Sequence, residues 1–255
     1  MNTFYVINGR KVKQALFLIA AILFIASIIY VERHNVTVFS YEEPSAIYSV
    51  VTDQKLIALT FDISWGDRTP GLVLDVLKEK GVEKATFFLS APWSKQHPEI
   101  TERIVAEGFE VGSHGHKYDN YSTLEDEEIR KQLIIANQIL SETTGEQPTL
   151  LRLPNGDYDK RVLDIANRLG LTVIQWDTDS LDYRNPGVDN IVHRVVSYAH
   201  PGDIVLMHAS DTAEQTHLAL PAIIDKLRAA GYTFVTVSEL INHTSIQGQE
   251  VRDNR

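Results

Sequence analysis

The chain has 255 residues, no cysteine, 24 basic and 34 acidic residues, and a formal net charge of −10. That length suits one large domain, or one domain with an anchor, and 44% hydrophobic residues are enough for a true core. Without cysteine there is no disulfide, thiolate zinc site or cysteine nucleophile, and the acidity after residue 31 excludes nucleic acid as a partner, because phosphates would be repelled.

The first predicted element is the uncharged run 15–31, ALFLIAAILFIASIIYV. It reaches the lower edge of the ~17–25 apolar residues that cross a hydrocarbon core. Arg10, Lys11 and Lys13 stand directly before it, so residues 1–14 are expected in the cytoplasm and the rest of the chain outside the cell membrane. A cleaved signal peptide and a buried core helix are the competing readings. The run is apolar on every face and lacks a small-x-small cleavage pattern after it, which favours an uncleaved single-pass anchor. Residues 32–54, with Pro44, read as a linker or as short strands packing on the domain.

From there strands and helices alternate. The pattern predicts a strand over 56–61, a helix over 69–80 ended by Gly81, a strand over 85–89, a helix over 99–107 ended by Gly108 and a strand over 109–112. A long helix is expected over 123–144, with Thr123 and Asp126 spaced nearly as a capping box and Gly145 at its end. Then come strand 149–152, helix 160–169, strand 171–176, helix 189–199, strand 203–207, helix 213–230, strand 233–237 and a polar tail over 243–255. Continuous apolar strands separated by helices predict an α/β fold with a parallel sheet over 55–242; about seven βα units fit a barrel better than an open sheet, and at this point both stay open.

In such a fold chemistry gathers where strands end. Asp62 follows the first strand, and Ser113, His114 and His116 follow the third. Arg152 closes the fourth, Asp177, Asp179 and Asp182 follow the fifth, and His208 follows the sixth. An Asp after a strand is usually a helix cap and a lone His usually structural, but five strand ends converge here on acids, bases and imidazoles. Trp65 and Trp93 lie in loops after the first two strands, where they either pack or stack on sugar rings.

The order Thr60-Phe61-Asp62, Gly112-Ser113-His114, Arg152-Leu153-Pro154-Asn155-Gly156, Asp179-Ser180-Leu181-Asp182-Tyr183 and Leu206-Met207-His208 resembles the five motifs of NodB-homology polysaccharide deacetylases, carbohydrate esterase family 4. With the apolar run it resembles the sporulation-associated, PdaB-type members in particular. The resemblance implies a distorted (β/α)7-type barrel and hydrolysis of the N-acetyl group of amino sugars in a cell-wall glycan such as peptidoglycan. It implies Asp62 as general base held by Arg152, and His208 as general acid oriented by Asp182. It also implies the Asn155 N–H as an oxyanion donor, Leu206 against the acetyl methyl and Tyr183 as an aromatic wall.

The resemblance further implies a divalent metal, zinc or cobalt, held by one Asp and two His. Of these only His114 is present; Ile63 and Tyr118 stand at the other two positions. Three readings stay open: a rearranged site recruiting His116 and Asp67 or Asp119 beside Asp62, slow metal-free catalysis by Asp62, Arg152 and His208, or a non-catalytic glycan-binding or structural barrel.

Overall fold

A computed structural model describes residues 44–242 and, ahead of them, helical positions 10, 13, 14, 17, 19–21 and 23. The chain divides into two compact units at Glu43 and Pro44. No helix among the described residues is long and apolar enough to cross a membrane. Most of the expected anchor at 15–31, and all of the tail at 243–255, lie outside the described residues.

The second unit is an α/β fold. Its elements are β1 (Leu56–Ile63), α1 (Arg68–Glu79), β2 (Thr86–Leu89), α2 (Ala91–Gln96), α3 (Pro98–Ala106), β3 (Glu110–Ser113), α4 (Asp126–Thr144) and β4 (Leu150–Leu151). There follow α5 (Lys160–Arg168), β5 (Thr172–Val173), β6 (Thr178–Asp179), α6 (Val188–Tyr198), β7 (Asp203–His208), α7 (Thr216–Ala229), β8 (Thr233–Phe234) and α8 (Val237–Asn242). The strands pair in parallel in the order β5-β4-β3-β2-β1-β7-β6, with β8 against the start of β1. The result is a parallel half-barrel with helices on its outer face.

The period-two alternation of a strand decides what faces where. In β1, Ile57, Leu59, Phe61 and Ile63 pack outward with Leu74 and Leu77 of α1 and Ile223 and Leu227 of α7. Ala58 points to the other face, with Phe88 of β2, Ile204 of β7 and Val235. The next residues of that inner parity are Thr60 and Asp62. In β7 the inner residues are Ile204, Leu206 and His208, and the register sets Asp62 directly beside His208. Each large apolar side chain buried on the outer face stabilises the sheet by roughly 1.5–3 kcal/mol. The chemistry therefore stands on a rigid support, and emptying that support at Phe61 with alanine would cost about 3–5 kcal/mol.

The sequence boundaries need several corrections. A short helix, α2, precedes α3 where only one helix was expected. The capping box at Thr123 does not form: Thr123 sits in a one-turn helix, its hydroxyl donates to the Asn120 carbonyl at 2.7 Å, and α4 starts three residues later. Pro98 similarly sets the start of α3. The fifth strand shortens to two residues, and Thr178–Asp179 forms a separate strand beside β7 where a loop was expected. The last predicted strand ends at Phe234, and Val237–Asn242 is helical. Part of the segment left as linker or packing is packing: Ile47 bridges Ile174 beyond β5, and Ser49 bridges Asp203 at the start of β7.

Candidate active site

The inner strand ends surround an open cleft of about 410 Å³ lined by Asp62, Trp65, His114, Tyr118, Asn155 and His208, among others. Behind Asp62 lies Arg152, which is fully buried. Its Nη1 donates to Asp62 Oδ1 at 2.9 Å and Thr60 Oγ1 at 2.7 Å, its Nη2 to the Gln175 carbonyl at 2.9 Å, and its guanidinium lies 4.1 Å from the Phe88 ring centroid. Burial pulls the Arg152 pKa down and the Asp62 charge works against it. Stripping one partner from such a buried pair leaves an uncompensated charge, which costs about 3–5 kcal/mol. Asp62 is thus held through one oxygen, while its Oδ2 stands 3.9 Å from His114 Nε2. The His114 Nδ1–H donates to the Arg152 carbonyl at 2.7 Å. Burial keeps the His114 imidazole below its ordinary pKa, so it stays neutral with Nε2 turned toward Asp62.

The opposite wall is built around Asp182, a fully buried carboxylate. Its Oδ1 accepts from His208 Nδ1 at 2.7 Å and the Tyr183 N–H at 2.8 Å. Its Oδ2 accepts from the His208 N–H at 2.7 Å and the Thr216 hydroxyl at 2.6 Å. Four donors satisfy this buried carboxylate. Burial also works against charge on His208, but the hydrogen bond and charge of Asp182, with Asp62 and Asp179 beyond it, outweigh that and hold its pKa above the ordinary value. Tyr183, 40% exposed, meets His208 edge-on at 5.3 Å, and Leu206 and Asn155 line the same cleft. All four acid–base residues expected from the sequence are therefore brought together, along with the three expected wall residues.

Among the described residues three non-glycine positions adopt left-handed backbone: Asn155 at φ 58°, Leu181 at 56° and Asn185 at 49°. Asn155 and Leu181 adjoin the site directly, one after Arg152 and one before Asp182. Such conformations cost of order 1–3 kcal/mol each and persist only where surrounding structure enforces them. For Leu181 the enforcement is visible: its N–H donates to Asp179 Oδ1 at 2.9 Å, while Asp182 is fixed by the four bonds above.

The residues present do not fit a three-ligand metal centre. Ile63 is buried in the outward cluster that packs the helices. Tyr118 is 46% exposed, its ring tilted at 55° against Trp65 with centroids 4.6 Å apart, and its phenol oxygen takes a hydrogen bond from the Asn155 backbone. Burial, then the Asp62 charge, keeps that phenol protonated by raising its pKa. The rearranged site fails as well. His116 does not line the cleft, and its Nδ1 is buried with no partner among the described residues. Asp119 instead accepts from Gln132 at 3.1 Å, and Asp67 precedes α1. No group of three His, Asp or Glu among the described residues could hold a metal ion.

Two further expectations change. The Asn155 N–H expected for an oxyanion is engaged by Tyr118, which no motif foretold. Trp93 is a packing residue, 2% exposed with its Nε1 donating to the Gly66 carbonyl at 2.6 Å, whereas Trp65 is 48% exposed at the cleft. Sequence reasoning missed Thr216 and Trp176. Thr216 lies at the start of α7 with no motif around it, and Trp176 follows a strand as any core aromatic might.

Residues 49–174 match the family model for polysaccharide deacetylases. The chain is 34% identical over 199 residues to a peptidoglycan-N-acetylglucosamine deacetylase of Bacillus cereus, covering 77% of this chain and 92% of that one. It is 31% identical over 205 residues to the uncharacterized protein YlxY of Bacillus subtilis, covering 80% of this chain and 63% of that one. Among solved structures it resembles BA3943 of Bacillus anthracis, described as a CE4 family pseudoenzyme, with TM-score 0.73, 34% identity and coverage of 78% of this chain and 69% of that one. A mutant of BA3943 described as having restored enzymatic activity matches with the same TM-score at 35% identity, covering 78% of this chain and 71% of that one. The ordered strand-end residues, the parallel half-barrel and these relatives agree: this chain belongs to the polysaccharide deacetylase family.

Proposed function

We propose that the chain hydrolyses the N-acetyl group of an amino sugar in cell-wall peptidoglycan, working from outside a membrane to which residues 15–31 tether it, in a sporulating cell. The observation that carries the chemistry is a carboxylate held by Arg152 and an imidazole held by Asp182 lining one cleft. Asp62, fixed by Arg152, takes a proton from water as its oxygen attacks the acetamide carbon. His208, charged through Asp182, gives its Nε2 proton to the leaving nitrogen as the C–N bond breaks, releasing acetate and the free amine. Trp65, Tyr118 and Tyr183 at the mouth offer aromatic faces to sugar rings, and Leu206 an apolar contact for the methyl. No step runs through a metal, because the donor set does not fit one. Losing a Lewis acid removes several kcal/mol of transition-state stabilisation, so turnover is expected to be slow.

A second reading, a glycan-binding protein without turnover, draws on Tyr118. It fills the position of an imidazole and engages the Asn155 N–H. The likeness to a pseudoenzyme points the same way. Acetate release from purified peptidoglycan separates the two. Release by the wild type that Asp62→Asn abolishes supports hydrolysis; no release, together with retained glycan binding, establishes the second reading instead.

A further inference from the structure

Residues 64–67, between β1 and α1, form neither helix nor strand, yet they carry Trp65, whose exposed ring stands at the cleft. The end of β7 holds this loop. The Ala209 N–H donates to the Asp62 carbonyl at 3.0 Å, which extends the pairing of β1 with β7 past His208. The Ser64 N–H then donates to Ser210 Oγ at 2.9 Å, and the Asp211 N–H to the Trp65 carbonyl at 3.1 Å. The Asp211 carboxylate reaches further, to a helix it does not belong to. Its Oδ1 accepts from the backbone N–H of Thr69 at 2.7 Å and of Arg68 at 3.1 Å, and its Oδ2 from that of Asp67 at 3.3 Å. The first N–H groups of a helix are usually satisfied by the side chain just before it. Asp67 stands there and makes no such bond, so a residue 144 positions away supplies the cap.

We propose that Asp211 is a positioning residue for the sugar polymer: by tying the end of β7 to the start of α1 it sets where the Trp65 ring stands, and Trp65 meets the sugar. Asp211 does not line the cleft, so it acts through Trp65 and not on the glycan itself. The inference rests on the glycan reading above and deepens it, tracing an aromatic contact to a carboxylate on another strand end.

Three observations support it. First, the fit around residue 66 is close. A Cβ on Gly66 would stand 2.1 Å from Asp211 Cγ, so the carboxylate fills the space that any side chain there would need. Gly66 has φ +77°, and its carbonyl accepts from Trp93 Nε1 at 2.6 Å, which holds the loop from its other side. Second, the Trp65 ring has little packing of its own. It is 48% exposed, and its aromatic contact among the described residues is Tyr118, itself 46% exposed. The backbone that Asp211 fixes therefore decides where the ring lies, and a ring placed before the ligand arrives lowers the entropy cost of binding. Third, the carboxylate is committed to this task. Burial works against its charge, but the donors at Thr69, Arg68 and Asp67 outweigh that and hold the carboxyl below its ordinary pKa.

The test is calorimetric titration of the full chain with an N-acetylglucosamine tetramer, for the wild type, Asp211→Ala, Trp65→Ala and the double variant. Acrylamide quenching of tryptophan fluorescence is measured alongside, without sugar. Asp211→Ala should weaken tetramer binding about fivefold, the worth of one aromatic contact, and should raise the quenching as Trp65 is released. In the Trp65→Ala background the same substitution should change affinity less than about twofold, because the two residues act as one. Asp211→Asn keeps an oxygen for the Thr69 N–H and should restore most of the affinity. A loss of binding that persists undiminished without Trp65 overturns the inference, as does wild-type affinity in Asp211→Ala. A wild type that binds no tetramer overturns the glycan reading instead. The quenching then still decides whether Asp211 fixes Trp65, and quenching unchanged by Asp211→Ala overturns the inference by itself.

Discussion

The two walls of the main cleft differ in what has been kept. On the β6–β7 side, Asp182 receives four hydrogen bonds and holds the His208 pKa above its ordinary value. On the β1–β3 side, His114 stands alone between an isoleucine and a tyrosine. Asp62 and His114 on that side are nonetheless buried, so the difference is not a general loss of structure. Buried Asp182 would be costly to retain without its donors, and a purely structural barrel gains nothing from a charged imidazole at the mouth of a cleft. The proton-moving machinery and the electrophilic machinery of one fold can thus be separated: each relies on its own hydrogen bonds, and only Asp62 touches both.

That contrast can be broken most directly at Asp62. Asp62→Asn keeps the shape but removes the base, and acetate release should fall by roughly 10²–10⁴-fold; unchanged release would remove the proposed chemistry. Asp182→Asn comes next. The variant should lose roughly a hundredfold in rate through the misprotonated His208, and about 1–3 kcal/mol in stability as bonds to the carboxylate weaken, read by denaturant unfolding. The other wall is tested with Ile63→Asp and Tyr118→His. Because residue 63 packs outward among apolar side chains, that pair should bind no stoichiometric zinc by elemental analysis and should lose about 1–3 kcal/mol or more in denaturant unfolding through a carboxylate buried without donors. One zinc per chain, with a Tm that rises on adding zinc, would show that residue 63 can turn into the cleft.

Smaller effects test the electrostatics. The His208 pKa is raised in the fold, so its charged form contributes stability that is fully present below the ordinary value of 6.5 and is lost as pH rises through the folded value. Acetate release should decline over the same upper window, because neutral His208 has no proton to give; a pH profile flat through that range would contradict its role as acid. Away from the site, burial raises Asp203 to about 6 from 3.8, so the fold is favoured by its neutral form. Stability from this group should be full below 3.8 and fade as pH rises to about 6; Asp203→Asn should remove up to on the order of 3 kcal/mol of that dependence in urea titrations at each pH. Smallest is Tyr118→Phe, which frees the Asn155 N–H. A few-fold faster release would identify that N–H as an oxyanion donor, and a slower one would assign the donation to the phenol itself.

The chain order of the strands and the residues at their ends were legible because both follow short-range rules. A buried parallel strand reads as an apolar run, and period-two alternation then puts Asp62 and His208 on one face. What was not legible depended on contacts between distant segments. Tyr118 looks like a simple loss of an imidazole until the fold places its hydroxyl on the Asn155 backbone. Thr216 has no signal because its partner, Asp182, is set by another part of the chain. β6 is only two residues long and exists through pairing with β7. His116 matched a chelating spacing, but the chain after Gly115, itself at φ +77°, directs it away from the cleft lining. The helix at Asp126–Thr144 was found, yet its start was misplaced because Thr123 bonds to Asn120 rather than to the helix.

The left-handed residues around the cleft carry a consequence for how such a protein can change over time. Leu181 would sit more comfortably as glycine, and a selection for heat resistance alone would favour that exchange. The same exchange would loosen the turn that aims Asp182 at His208. Thermal robustness and proton transfer are therefore in opposition at a single backbone torsion. Populations screened only for survival at high temperature should lose function at residue 181 before they lose it at any of the residues that handle protons.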